Sequence, residues 1–427
     1  MKSLASNNAI SLNNAAQPKL ALIAEGGGQR GIFTAGVLDA WLEEGYDPFD
    51  MFFGTSAGSQ NLTSYLARQK GYAKRLIRGL SRHKRFFHLG RGLVGKHIVD
   101  LDWYFDKTTE ANRILDFETA KRTLGTRELF ITATNARDRN PYFLSPTGES
   151  QQWRELLKAS SALPFLYKHG VKLTPWLGAR AANESGAKAA NESASDLANG
   201  QKSGTPQADF YLDGGLAAPL PVIEAYKRGA RKIVVIRTAD AQFQAQSAWV
   251  HKLRSVVCKA GYCPKTIDYL VQHEQAYQQE LAFIANPPAD VEIVQIFAGK
   301  KLHSKLLGST DSDLRQDHKI GVAAGKAYLE QQNAFESNAF VENNTYESNA
   351  LNAINQAEIS EFSEFSEAEY AHSPQTQSAR LWTETQHQAI EQEAVKQKEI
   401  TQQEEHQQLA PRELVAQRTL PPQRLSA

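Results

Sequence analysis

Several kinds of residue and pattern are scarce in this chain of 427 residues, and each shortage excludes a class of protein. The two cysteines, Cys258 and Cys263, are too few for a disulfide framework, and the pair lacks the histidine partners of a zinc site. No stretch reaches the roughly 18 apolar residues that a membrane-spanning helix needs. Residues 1–17 are polar and lack the apolar core of a signal peptide. These shortages predict a cytoplasmic protein with a flexible leader over residues 1–17.

Charge is balanced over the whole chain but not within it. The formal net charge is +1. Residues 331–427 contain 15 Glu, no Asp and 6 Lys or Arg, a net charge of −9, so residues 1–330 carry +10. The acidic segment is rich in Glu and Gln and has few large aliphatic residues. We therefore expect one folded domain over residues 18–330, followed by a mostly disordered tail.

Residues 177–208 interrupt that domain with a different composition. They are rich in Ala, Asn, Ser, Gly and Lys, and the sequence Ala-Ala-Asn-Glu-Ser occurs in them twice. Such a composition cannot form a packed core. We expect a disordered surface insertion here.

Ser56 lies between two glycines in the sequence Gly-Thr-Ser-Ala-Gly at residues 54–58, directly after an apolar run. This pattern is typical of a nucleophile elbow, in which a strand ends, turns sharply and presents a serine hydroxyl before a helix. Gly54 and Gly58 are needed because a Cβ there would collide with the neighbouring strand and helix. Alone, the motif also fits an ordinary glycine–serine loop.

A second glycine cluster occupies residues 26–31, with the sequence Gly-Gly-Gly-Gln-Arg-Gly. It connects a predicted buried strand over residues 19–24 to an amphipathic helix over residues 32–44. A loop at this point directs backbone N–H groups outward, with the positive end of the helix dipole behind them. It therefore stabilises negative charge, which in acyl transfer is the oxyanion of the tetrahedral intermediate.

The same loop matches the dinucleotide-binding pattern Gly-x-Gly-x-x-Gly. That kind of site needs an acidic residue at the end of the second strand to hold a ribose. Asp47 and Asp50 lie at about the right distance along the chain, but they precede the second strand, and the Ser56 motif follows it. This order favours the oxyanion interpretation over a dinucleotide-binding protein.

Asp213 follows the strand-like residues 209–212 and precedes Gly214 and Gly215. An aspartate at a strand end, followed by two glycines, can place its carboxylate against a hydroxyl without crowding. Asp213 could then be the general base for Ser56. By itself Asp-Gly is a signal for a β-turn. The other two motifs, in this order, favour the catalytic interpretation.

These motifs together resemble the patatin-like phospholipase family over roughly residues 18–330. Residues 158–165, with the sequence Lys-Ala-Ser-Ser-Ala-Leu-Pro-Phe, are similar to the family's Ala-Ser-x-Ala-x-Pro stretch. The pattern is that of bacterial single-domain members. The resemblance implies a serine lipid acyl hydrolase that cleaves carboxylic ester bonds of phospholipids or related lipids, without a metal or other cofactor.

The resemblance also implies roles for individual residues. Ser56 would attack the ester carbonyl, and Asp213 would take its proton, directly or through water, as a Ser–Asp dyad. Arg30 would order the glycine loop or meet a lipid phosphate. The oxyanion hole would be formed by the residues of that loop: Gly26, Gly27, Gly28, Arg30 and Gly31.

Two other hypotheses stay open. One is a Ser, Asp, His triad of the α/β-hydrolase type, although the early elbow and the glycine loop argue against it. The histidines that follow Asp213 at suitable positions are His251, His273, His303 and His318. The other hypothesis is a non-catalytic membrane- or partner-binding protein on the same fold.

Residues 68–96 contain ten Lys or Arg and no acidic residue, with Tyr72, Phe86, Phe87 and Leu89 interleaved. They predict a platform for an anionic membrane at the inner membrane face, worth about 1 kcal/mol per basic residue. Aromatic and aliphatic side chains would enter the lipid interface. A nucleic-acid surface is the rival interpretation, but no nucleic acid is expected because the catalytic motifs favour a lipid substrate. The sequence carries no signal for an oligomeric state.

The remaining patterns predict an α/β fold, a three-layer sandwich with a mainly parallel central sheet. Strand-like runs over residues 128–134, 232–237 and 291–296 alternate with helical patterns. Those helical patterns cover residues 153–160, 222–229, 266–284 and 313–330. Ser56 and the glycine loop would lie at adjacent strand ends on one edge of the sheet, where ligands bind in such folds.

Overall fold

The computed structural model describes residues 18–357 except residues 111, 147–148, 165, 169, 174–178, 182–208, 240–264 and 300. The strands are β1 (Lys19–Ala24), β2 (Met51–Thr55), β3 (Glu128–Asn135), β4 (Pro141–Leu144), β5 (Val171–Leu173), β6 (Ala179–Ala181), β7 (Asp209–Asp213), β8 (Ala230–Ile236) and β9 (Glu292–Ile296). The helices are α1 (Gly31–Glu43), α2 (Ala57–Leu66), α3 (Tyr72–Gly79), α4 (Gly90–Leu93), α5 (Leu101–Lys107), α6 (Phe117–Leu124), α7 (Ser150–Ser160), α8 (Val222–Lys227), α9 (Lys265–Ala285) and α10 (Asp311–Ala357).

The strands form one mixed sheet with the order β5-β7-β3-β2-β1-β8-β9. The run from β3 through β2, β1 and β8 to β9 is parallel. The other strands join beside β3 in antiparallel pairings. Central strands such as β2 are buried along their whole length, as expected when helices cover both faces of a parallel sheet. The predicted α/β fold with a mainly parallel sheet is confirmed.

Each face of the sheet has its own apolar core. On one face the side chains of Leu22 and Phe52 pack with Trp41 of α1 and Tyr328 of α10. On the other face alternate residues of the same strands pack with residues of α8 and α9, among them Tyr277. The alternation follows from the two-residue repeat of a strand. The result is a helix–sheet–helix sandwich.

Helices α1 and α10 cross with their backbones almost in contact. A Cβ on Gly36 would lie 2.3 Å from the carbonyl oxygen of His318, and one on Gly321 would lie 2.1 Å from that of Phe33. The indole N–H of Trp41 donates to the carbonyl oxygen of Gly325 at 3.1 Å. Glycine is therefore required at this crossing, and the end of the described chain is anchored to its beginning.

Two expected disordered segments are partly ordered. The expected insertion over residues 177–208 begins with β6, which pairs with β4. The expected tail begins inside α10, which continues to Ala357; residues 331–357 contain no Gly or Pro that would interrupt a helix. The described parts of both segments thus contain regular secondary structure. The leader, both cysteines, His251 and residues 358–427 lie outside the described residues.

The basic segment over residues 68–96 differs from the expected membrane platform. Tyr72 and Phe86 are buried in the core, so they do not project toward a lipid interface, whereas Leu89 is 67% exposed. Six of the ten basic residues have an acidic partner from elsewhere in the chain. The sequence pattern could not show this, because these acids lie outside the segment.

Candidate active site

Ser56 occupies a strained turn between β2 and α2. Its φ of 53° and ψ of −121° are unfavourable for any residue with a side chain. A Cβ on Gly54 would lie 2.4 Å from the Cα of Ser59, and one on Gly58 would lie 2.1 Å from the carbonyl oxygen of Ala24. Only glycine fits on either side. The turn therefore has the strand–turn–helix geometry of a nucleophile elbow.

Asp213 is hydrogen-bonded directly to the elbow serine. The hydroxyl of Ser56 donates to Oδ2 of Asp213 at 2.8 Å, and the backbone N–H of Gly215 donates to Oδ1 at 2.8 Å. Asp213 ends β7, which runs antiparallel to β3 and places Asp213 opposite Ala133. A Cβ on Gly214 would lie 2.3 Å from the carbonyl oxygen of Thr132, so this turn also requires glycine.

Burial raises the pKa of Asp213 from 3.8 to about 6, because desolvation penalises the charged carboxylate more than its two hydrogen bonds favour it. The carboxylate is thus ionised at neutral pH but more basic than an ordinary aspartate. It can accept a proton from a hydroxyl at hydrogen-bond distance.

The backbone of Ser56 is fixed by two other serines. The N–H of Ser56 donates to the hydroxyl of Ser160 at 2.9 Å, and the hydroxyl of Ser59 donates to the carbonyl oxygen of Ser56 at 2.6 Å. Ser160 ends α7 and belongs to the fourth motif, over residues 158–165. The sequence pattern identified that motif but did not indicate a role for Ser160. The contact orients the nucleophile through its main chain.

The glycine loop lies beside the serine. A Cβ on Gly26 would be 3.2 Å from the Cβ of Ser56. Gly28 has a φ of 57°, in the left-handed region that favours glycine. The N–H of Gln29 donates to the carbonyl oxygen of Leu306 at 3.0 Å, and that of Arg30 donates to Gly27 at 3.1 Å. These last two N–H groups are therefore engaged within the protein.

Arg30 and Gly31 complete the loop at the start of α1. A Cβ on Gly31 would lie 3.0 Å from the Cβ of Ala57, so the two strand–helix turns pack against each other. Arg30 lines the same cavity as Ser56. Its buried Nε has no hydrogen-bond partner among the described residues.

A cavity of about 400 Å³ opens above these groups. Ser56 and Asp213 line it together with the glycine loop. Most of its wall is apolar and comes from helices α3 and α5 and the segments around them, including Leu76, Phe86, Leu101, Tyr104 and Leu166. Such a wall suits a hydrocarbon chain better than a polar group.

The described histidines do not connect Ser56 to Asp213. Nδ1 of His273 lies 2.5 Å from the carbonyl oxygen of Gly215, at the edge of the cavity. His303 pairs with Asp317 at 3.0 Å, and His318 pairs with Asp39 at 2.9 Å. Because Asp213 reaches the serine directly, this geometry favours a dyad over a triad.

The two acids considered for a dinucleotide lie at the other end of the sheet. Asp50 accepts a hydrogen bond from the N–H of Leu20 at 2.8 Å, beside the starts of β1 and β2. Asp47 pairs with Arg127 at 2.8 Å, just before β3. The glycine loop follows the carboxyl end of β1, so these acids cannot hold a ribose next to it.

Two features are absent from the described residues, a cluster of metal ligands and a membrane-spanning helix. Within the described ranges, no group of three or more His, Cys, Asp or Glu could hold a metal ion. No helix in the described part of the chain has the length and apolar character needed to cross a membrane.

Known proteins resemble parts of this chain. Residues 22–226 match the family model described as patatin-like phospholipase, and residues 263–337 match a domain of unknown function, DUF6363. The uncharacterized protein YjjU of Escherichia coli (strain K12) is 33% identical over 312 residues, which cover 73% of this chain and 77% of that protein. The crystal structure of VipD from Legionella pneumophila aligns with 14% identity and a TM-score of 0.36, over 73% of this chain and 67% of that one.

The chain belongs to the patatin-like phospholipase family. This confirms the family that the motifs predicted. Membership supports a lipid acyl hydrolase in general terms.

Proposed function

We propose that this protein is a serine lipid acyl hydrolase that cleaves carboxylic ester bonds of phospholipids or related lipids. The observation that carries the proposal is the 2.8 Å hydrogen bond from the Ser56 hydroxyl to the Asp213 carboxylate, at the base of an apolar cavity. An activated nucleophile needs a base at this distance, and a costly elbow geometry serves no purpose without one.

In the proposed reaction Asp213 accepts the hydroxyl proton while Oγ of Ser56 attacks the ester carbonyl carbon. The carbonyl oxygen becomes an oxyanion. The carbon–oxygen bond to the leaving alcohol then breaks, and the proton on Asp213 passes to that alcohol. Water then gives a proton to the same carboxylate and attacks the acyl carbon. The bond from that carbon to Oγ of Ser56 breaks, Oγ takes the proton back from Asp213, and the fatty acid is released.

The glycine loop is the proposed oxyanion hole. The N–H groups of Gln29 and Arg30 are engaged by other carbonyl oxygens, so we assign the oxyanion to the N–H groups of Gly27 and Gly28. The positive end of α1 lies directly behind them. Arg30 adds a guanidinium to the wall of the same cavity, which suits the oxyanion or a lipid phosphate.

We also propose peripheral contact with an anionic membrane from the cytoplasmic side, through a smaller patch than the whole of residues 68–96. Leu89 and Val94 are 67% and 70% exposed on either side of α4. Exposed apolar residues among basic ones favour a lipid surface over a purely polar partner.

Labelling by a fluorophosphonate serine-hydrolase probe, together with hydrolysis of a short-chain ester, tests the proposal. We expect both in the wild type, and we expect both to disappear in Ser56→Ala. Ser150→Ala, a serine at the start of α7 and outside the cavity, is the matched control and should behave as wild type. Labelling that also disappears in a folded His273→Gln variant would favour the triad. An unlabelled wild type, with and without anionic vesicles, would refute the proposal.

A further inference from the structure

The first flank of the glycine loop is held partly from the segment matched by the domain of unknown function and partly from the residues that follow β8. Glu25 precedes Gly26 and is buried. Its Oε1 accepts a hydrogen bond from the hydroxyl of Tyr277 in α9 at 2.7 Å. Its Oε2 accepts from the N–H groups of Thr238 at 2.5 Å and Ala239 at 3.2 Å. A buried carboxylate with three donors has little freedom to move.

The second flank is held from the same segment. Gln29 is 1% exposed, and all of its polar groups are bonded. Its N–H donates to the carbonyl oxygen of Leu306 at 3.0 Å, and its Oε1 accepts from the N–H of Ser309 at 2.8 Å. Its Nε2 donates to the hydroxyl of Ser81 at 3.0 Å and to the carbonyl oxygen of the same residue. Gln29 thus bridges Ser81, just after α3, and residues 301–310, which we name the clamp loop.

The clamp loop is itself fixed by one aspartate on α10. Asp317 is completely buried. One of its oxygens accepts from the N–H and Nδ1 of His303 at 3.1 and 3.0 Å. The other accepts from the N–H and hydroxyl of Ser304 at 2.7 and 2.5 Å. Four bonds to adjacent residues determine where the clamp loop runs.

Between the two flanks, the three glycines cannot hold their own conformation. Glycine reaches the φ of 57° at Gly28 without strain, but it reaches other conformations as easily. An oxyanion hole requires donors that already point in the right direction. The direction of these N–H groups must therefore come from the neighbours. A Cβ on Gly28 would lie 2.4 Å from the carbonyl oxygen of Leu306, which shows how closely the clamp loop approaches.

We propose that residues 263–337, for which the matching family model has no function, are a positioning element of the hydrolase site. Tyr277 shares the first flank with Thr238 and Ala239, and the clamp loop, placed by Asp317, holds the second flank; together they orient the N–H groups of Gly27 and Gly28. The same segment also closes the cavity with Leu270, Leu306 and Leu307. This inference rests on the proposed function and makes the two matched segments one catalytic unit.

Two substitutions test the positioning role from opposite flanks. Asp317→Asn keeps the shape of the side chain but replaces an acceptor with a donor facing Ser304. Tyr277→Phe removes only the hydroxyl that donates to Glu25. Lys305→Ala is the matched control, because Lys305 is exposed on the clamp loop and does not line the cavity.

Amide hydrogen exchange gives a readout that does not depend on activity. In both variants we expect the peptide over residues 25–31 to exchange at least about tenfold faster than in wild type, while the amides of β2 stay protected. Ester kinetics, measured well below each unfolding temperature, should show kcat falling about tenfold to a hundredfold with KM nearly unchanged, as expected for misplaced oxyanion donors.

Exchange and kcat matching those of Lys305→Ala in both variants would overturn the inference. A wild type without Ser56-dependent turnover would instead refute the proposed function, and hydrogen exchange would then decide the positioning role alone. If Asp317→Asn does not fold, Tyr277→Phe and Ser304→Ala replace it in the same experiment, because each removes only a single hydroxyl group.

Discussion

The elbow over residues 54–58 and the glycine loop over residues 26–31 are adjacent strand–helix turns that are held in different ways. The elbow is fixed largely from within, since Gly54 packs on Ser59 and the Ser59 hydroxyl bonds to Ser56. The glycine loop is fixed by Leu306 and Ser309, about 280 residues away in sequence. A short motif can therefore indicate where both turns lie, but the conformation of the second also depends on distant contacts.

Because of this difference, we expect substitutions in the elbow and in the glycine loop to affect different properties of the protein. The elbow is packed against immovable backbone, so damage to it should disrupt folding. The glycine loop rests on the clamp loop, outside the central sheet, so damage to it should reduce catalysis more than stability. Four substitutions, in order of decreasing expected effect, test that separation.

Gly58→Ala should have the largest effect on folding. The new Cβ would lie 2.1 Å from the carbonyl oxygen and 2.7 Å from the carbonyl carbon of Ala24, and neither atom of this central strand can move away. We expect a loss of about 3 kcal/mol in the free energy of unfolding, measured by urea denaturation. Gly79→Ala is the control, since nothing lies within 4 Å of its Cβ, and it should change stability by at most about 1 kcal/mol. A wild-type midpoint for Gly58→Ala would contradict this view of the elbow.

Gly28→Ala should show the opposite balance. Its φ of 57° and its contact with Leu306 would cost about 1–2 kcal/mol of stability, because the new Cβ would shift the clamp loop and not a central strand. That shift should lower kcat about a hundredfold by misplacing the proposed donors. Gly45→Ala carries a similar φ of 68° with nothing nearby, and so controls for the backbone strain alone. If Gly28→Ala and Gly45→Ala have the same kcat, the glycine loop is not more important for catalysis than an ordinary glycine turn, and the proposed difference between it and the elbow is wrong.

Asp213→Asn should abolish ester hydrolysis and yet stabilise the fold. The folded pKa of about 6 lies above the ordinary 3.8, so the stability contributed by the proton-bound carboxyl is complete below pH 3.8 and is lost as pH rises through 6. Removing the buried charge should therefore raise the free energy of unfolding at pH 7 by about 1–3 kcal/mol.

The same pKa sets the expected pH profile of the wild type. The base must be ionised, so kcat/KM should fall about tenfold per pH unit below pH 6. Rate measurements on the wild type from pH 4.5 to 8 check the pH profile. Thermal unfolding of the wild type and of Asp213→Asn checks the expected stabilisation. A flat profile, or an Asp213→Asn variant that is less stable than wild type, would contradict them.

Asp311→Asn should have the smallest effect. The Asp311 carboxylate pairs with Arg78, Arg82 and Arg315, and these hydrogen bonds hold its pKa well below the usual range. The network joins α3 to α10 at the surface, so we expect a loss of at most about 1 kcal/mol that shrinks further in 1 M salt. Urea denaturation at two salt concentrations measures it. A larger, salt-independent loss would show that the network is structural.

The sequence predicted the parts of the site that short motifs encode. The strand–turn–helix pairs around the glycine loop and Ser56, and the position of Asp213 after a strand, follow from glycine spacing and apolar runs. Helix α9 was predicted at residues 266–284, close to its observed bounds of Lys265–Ala285, because its apolar periodicity is long.

The remaining parts depend on contacts between distant segments. The short antiparallel strands β4, β5 and β6 carry too few residues to show a pattern. Gln29 looks like an ordinary polar residue between glycines, and Asp317 like one of several acids on a surface helix. Only the folded chain brings Gln29 to Ser309 and Asp317 to Ser304.

The glycine crossing of α1 and α10 has a consequence for how the protein folds during its synthesis on the ribosome. Trp41 meets Gly325 across a gap of 284 residues, which takes roughly 15–60 s to synthesise at about 5–20 residues per second. During that interval the nascent chain carries Ser56 and its glycine loop but lacks the helix that covers α1 and the aspartate that fixes the clamp loop. The proposed lipid-cleaving site is therefore completed only when translation has passed α10.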